Sequence, residues 1–168
     1  MDGAQPRDDP LGRAIRRAAE ALAAVGGSIL VALAAVTVLN IALRVGFGWQ
    51  LRGEFDLASL GGAVAVFCFL PYGQVTGAHV TIDFVTQGAP ARLKAMLDAL
   101  AAVAFALVVG LLAWRMAVGG VELAQAGQET AVLRLPYWAA FLAAAPAMAL
   151  LLAACLHDAW RRLGEALG

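Results

Sequence analysis

Residues 52–85 read RGEFDLASLGGAVAVFCFLPYGQVTGAHVTIDFV, and this stretch decides the fold. It opens on a charged cluster of Arg52, Glu54 and Asp56. Twenty-two residues then run from Leu57 to Ala78 without one Asp, Glu, Lys, Arg or His. The stretch closes on His79 and Asp83. A helix needs about 20 apolar residues to cross the hydrocarbon layer. A soluble core helix carries a polar face, which this run lacks. The stretch therefore reads as a membrane-spanning helix with two chemically different flanks.

Three further apolar runs surround it. Ala21–Leu43 lies between Glu20 and Arg44. It exceeds the roughly 7–15-residue apolar core of a signal peptide, and Asn40, Arg44 and Val45 make a poor cleavage site, so it reads as a retained anchor. Sixteen residues, Ala99–Trp114, separate Asp98 from Arg115. This run is short for a crossing, so the helix is expected to extend at both ends, with Asp98 and Arg115 at the two interfaces and Arg115 snorkelling to headgroups. Leu135–Leu156 is the fourth run. Pro71 and Pro146 are candidate kink positions. Gly73 and Gly77 have the spacing that permits close helix approach. Asn40 is expected to bond a neighbouring helix or headgroups.

The composition agrees. The chain is 62% hydrophobic and 14% charged, with mean hydropathy +0.79. Soluble domains carry about a quarter charged residues. Twelve basic residues balance twelve acidic ones, which argues against a nucleic-acid partner and leaves the lipid bilayer as the surrounding medium. The expected fold is all-α, with four transmembrane helices and a short interfacial segment between helices 2 and 3. Its divisions are a tail over 1–20, a membrane domain over 21–158 with spans near 21–43, 57–77, 95–117 and 137–157, and a tail over 159–168. Residues 11–22 fit either a surface amphipathic helix or a partly ordered tail.

Four spans put both termini on one side. That side would hold eight basic residues against four on the other. The positive-inside rule then places the N- and C-termini in the cytoplasm. Trp49, Tyr72, Trp114, Tyr137, Trp138 and Trp160 all fall near predicted span ends, as an aromatic belt requires.

The chemistry is sparse. No charged side chain is predicted near the bilayer centre, which argues against a stand-alone proton-coupled carrier or an intramembrane protease. Cys68 and Cys155 sit inside apolar runs and lack redox or metal spacing, so they read as apolar filler. The two histidines, His79 and His157, lie at span ends and cannot hold a haem between spans. No nucleotide or zinc motif is present. No enzymatic activity, catalytic residue, metal site or cofactor is expected. Glu54 reads as a solvated interfacial charge, or as a salt-bridge partner of Arg52 or of another subunit. His79 and Asp83 stand four apart and share a face if helical. Glu129 caps, pairs with Arg134, or is simply solvated. The chain thus supports a larger partner, or serves as a four-span assembly or stability subunit of a complex without a transport role.

Glu54 before the second span, GAHVTIDFV (residues 77–85) after it, and ETAVLRLPYW (residues 129–138) leading into the fourth span resemble the small permease subunit of tripartite ATP-independent periplasmic (TRAP) transporters, the DctQ-like family. The resemblance covers roughly residues 20–160. It implies a multi-pass subunit of the bacterial inner membrane. Its partners would be a separate large permease subunit and a periplasmic solute-binding protein that delivers a small organic acid. Sodium would drive uptake and would bind the large subunit. The small subunit would be a non-catalytic scaffold, with Glu54, His79, Asp83, Glu129, Pro136 and Trp138 as structural or subunit-interface residues.

Overall fold

A computed structural model describes residues 10–76 and 91–167. Its elements are α1 (Pro10–Phe47), α2 (Glu54–Val75), α3 (Ala91–Gln125) and α4 (Tyr137–Leu167). All four contain a stretch long and apolar enough to cross a membrane, and the described residues form no strand. His79 and Asp83, with the expected interfacial segment, lie outside the described residues.

The helices outrun their apolar windows. Residues 10–20 continue into α1 as one helix of 38 residues rather than forming a separate surface element. At the other end α1 persists to Phe47, so the connection to α2 is only residues 48–53. Gly48 adopts φ +65° there, and its N–H returns to the Arg44 carbonyl at 3.2 Å. A left-handed glycine is a common way to close a helix, because it has no Cβ to clash. Gly53 takes φ +90° immediately before α2. Glu54 and Asp56 occupy the first turn of α2, where carboxylates complement the exposed N–H groups. Helices α2 and α4 both run on through their prolines, Pro71 and Pro146.

Two antiparallel hairpins make the bundle. Helix α1 packs along α2, and α3 along α4, while α2 against α4 joins the pairs. Small residues set the contacts. A Cβ on Gly26 would stand 2.9 Å from the Cys68 Cβ and 3.0 Å from the Ala65 carbonyl oxygen. Gly61 meets Leu33, and Gly120 meets Phe141. Gly73, by contrast, faces open space, so the Gly73–Gly77 spacing does not mark a described helix contact. The buried positions are mostly Ala and Cys, with a cluster of Ala106, Val109, Met148, Leu151 and Cys155 between α3 and α4. Large apolar side chains such as Val31, Val38, Val66, Leu107 and Leu142 point outward. This inversion suits lipid, which supplies no hydrophobic drive between helices and leaves close backbone approach as the cohesive term.

The register of α3 against α4 corrects one expectation. Gly110 contacts Leu152, and Gly119 and Gly120 contact Phe141. Trp114 and Arg115 lie between those contacts, which puts Arg115 level with Pro146. Pro146 is at the middle of the uncharged Leu135–Leu156 run. At 1.5 Å per residue, that level is about 13 Å below the start of α4. Arg115 and Trp114 are therefore not at a rim, and both are exposed on the outside of the bundle. Glycine contacts fix how α3 slides on α4, and they offset its uncharged window from that of its neighbour.

Candidate functional site

The end of the bundle opposite Pro10 and Leu167 is tied by a polar knot. Its first strap is Asn40, in the last turns of α1 and only 5% exposed. The Asn40 side-chain oxygen accepts the Leu51 N–H at 2.7 Å, and its amide donates to the Glu54 carboxylate. One amide side chain thus holds both the connecting loop and the first residue of α2. An amide suits this place because it donates and accepts at once. Glu54 therefore bonds within its own subunit, not to Arg52 and not to bulk water alone.

The second strap is longer. Asp56 is 7% exposed, and its carboxylate accepts the N–H groups of Val132 and Leu133 in the α3–α4 loop. Thr130, also buried, adds a hydrogen bond from its hydroxyl. The same hydroxyl oxygen accepts the Leu135 N–H at 3.0 Å, while the Thr130 N–H donates to the Leu135 carbonyl at 2.9 Å. Below the loop, Leu133 packs so tightly on Gly53 that no Cβ fits there.

The loop closes on itself around this strap. Glu129 and Pro136 form an isolated antiparallel bridge, and the Tyr137 N–H donates to the Gln128 carbonyl at 3.2 Å. Gly127 takes φ +59°. Arg134 takes φ +52°, the left-handed region that side chains other than Gly seldom adopt. Hydrogen bonds on both sides of Arg134 hold it there, in the way an over-determined turn sustains local strain. Glu129 and Arg134 are both exposed and make no ion pair with each other, so of the three readings open for Glu129 the pairing with Arg134 is absent. Trp138 sits half-exposed in the first turn of α4.

Of the sequence-predicted residues, the structure thus gathers Glu54, Glu129, Pro136 and Trp138 at one rim. Asp56 and Thr130, which knit that rim together, are not among the sequence-predicted site residues. Their signals were present: an acid in the first turn of a helix, and a Thr beside a loop that leads into Pro136. The Asp56 signal does not name its partners, because the bonded groups are backbone amides 76 and 77 residues away.

Among the described residues no group of three His, Cys, Asp or Glu could hold a metal ion. What the knot can do is fix the shape of an exposed surface made of the polar side chains Gln128, Glu129 and Arg134 with the apolar Val132. Comparison with curated proteins and with solved structures gives no match. A family model described as tripartite ATP-independent periplasmic transporters, DctQ component, matches residues 33–165, about four fifths of the chain, including the whole knot. The chain belongs to the DctQ family, the small membrane subunit of TRAP transporters, and is a multi-pass component of the inner membrane.

Proposed function

We propose that this subunit is the stationary scaffold of a sodium-coupled importer for a small organic acid. A large permease subunit binds the solute and the sodium, and a periplasmic binding protein delivers the solute. The observation that carries this reading is the character of the bundle interior. The buried polar or charged residues among those described are Asn40, Asp56 and Thr130, and all three lie at one rim. Between the rims the helices meet through Ala, Gly, Cys, Val, Met and Leu, and among the described residues no buried polar group lies there along which a carboxylate or a cation could be passed.

The excess of basic residues on the side of the termini supports placing that side in the cytoplasm. The knotted rim then faces the periplasm and offers the binding protein a rigid landing surface. Glu54, Glu129, Pro136 and Trp138 hold or line that surface. His79 and Asp83 act as structural or subunit-contact residues.

Reconstitution tests the reading. Vesicles holding this chain alone should show no solute accumulation under a sodium gradient, and adding the large subunit and the binding protein should restore it. Accumulation by the chain alone would overturn the scaffold role. Alanine at Glu54, or at His79 with Asp83, should lower assembly or uptake without changing which solute is preferred.

A further inference from the structure

The outer face of α3 carries an apolar stripe at helical spacing: Leu100, Leu107, Leu111 and Trp114, each more than 60% exposed. Lipid tails tolerate the leucines. They do not tolerate what ends the stripe. Arg115 is exposed beside Trp114, at the depth where α4 is half-way through its uncharged run. A guanidinium facing hydrocarbon at that depth is costly, and arginines inside membrane segments nearly always face a partner group or water.

Three routes could satisfy it. The first is an acid within the chain. Glu54, Asp56, Glu122 and Glu129 lie toward the knotted rim, and Asp98 and Asp158 lie toward the opposite one, so none of these stands at the level of Arg115. Arg115 makes no ion pair among the described residues. The second is snorkelling. Helix α3 runs toward the knotted rim, which is the nearer surface, but helical side chains tilt toward the helix N-terminus. The Arg115 side chain therefore starts away from the surface it would need to reach. The third is a group supplied from outside the chain at the same depth.

We infer that this face of α3 is the seam for a transmembrane helix of the large permease subunit, and that this helix presents a carboxylate to Arg115 at mid-membrane. The inference rests on the reading of the chain as one part of a two-part permease. A carboxylate matches the planar fork of the guanidinium with two parallel hydrogen bonds and cancels its charge. The Trp114 indole N–H is a second donor at the same level. The leucines below it supply the apolar flank against which the partner helix lies.

The experiment co-expresses the tagged full chain with the large subunit and purifies the pair in mild detergent. Arg115→Leu should lower the co-purified large subunit at least tenfold while leaving the amount and helicity of the tagged chain unchanged. Arg115→Lys should retain an intermediate amount. In an otherwise unaltered chain, a photo-crosslinking amino acid at position 115 should attach to the large subunit. Full retention of the large subunit by Arg115→Leu, or crosslinks to lipid alone, would overturn the seam. If the unaltered chain retains no larger membrane protein at all, the subunit reading itself falls and the seam with it.

Discussion

The Asp56 carboxylate accepts two backbone N–H groups, from Val132 at 3.0 Å and from Leu133 at 2.9 Å, and so binds the first turn of α2 to the loop that starts α4. Consecutive amides converging on one carboxylate form a charge-assisted clamp, stronger than a neutral pair. It is the one described place where side-chain hydrogen bonds join the two helical hairpins at the knotted rim. The order of the exposed loop depends on it.

Removing that carboxylate should loosen the loop before it unfolds the bundle. In Asp56→Ala, hydrogen exchange at the Val132 and Leu133 amides should accelerate on the order of tenfold or more, with amides in mid-α4 unchanged. Asp56→Asn keeps one acceptor oxygen and should fall between. Equal exchange in all three proteins would contradict the clamp.

Asn40 should be more sensitive to charge than to size. Asn40→Ala leaves the Leu51 N–H without its acceptor and should cost about 1–3 kcal/mol in denaturant unfolding. Asn40→Asp has nearly the same shape but loses the donor and sets a like charge against Glu54. It should be the worse of the two in the same unfolding measurement.

Glycines in one bundle should respond differently to the same methyl group. Gly26→Ala drives a Cβ into Cys68 and Ala65 and should destabilise the α1–α2 hairpin by about 1–3 kcal/mol. Gly62 faces open space, so Gly62→Ala should be neutral or stabilising by up to about 1 kcal/mol through helix propensity. Thermal melts in one detergent would separate them.

Gly53 joins two separate demands, a positive φ and a Leu133 side chain where its Cβ would be. Gly53→Ala should therefore be strongly destabilising. Adding Leu133→Ala should recover part of the loss, because it removes the collision and leaves the backbone strain. A double-mutant cycle would measure that coupling, and strict additivity would rule the contact out.

Cys68 and Cys155 are both buried between helices. Neither should react with a membrane-permeant maleimide until the bundle is opened by denaturant. Labelling of Cys155 in the folded protein would mean that the α3–α4 contact is looser than it stands here.

The amino-acid sequence by itself determined the medium and the number of crossings. Hydropathy is additive along the chain, so apolar runs such as Leu57–Ala78 announce spans wherever they later pack, and Glu54, Pro136 and Trp138 fall at a rim for the same reason. Only the tertiary structure decided depth and partnership. The Asp56–Leu133 clamp joins residues 77 apart in sequence, and nothing local to either encodes the other. Arg115 shows the same limit. Its position in the chain suggested an interface, because hydropathy marks where an uncharged window ends. Its true depth follows from how Gly110, Gly119 and Gly120 let α3 slide along α4, and that depends on side-chain shape on two helices at once.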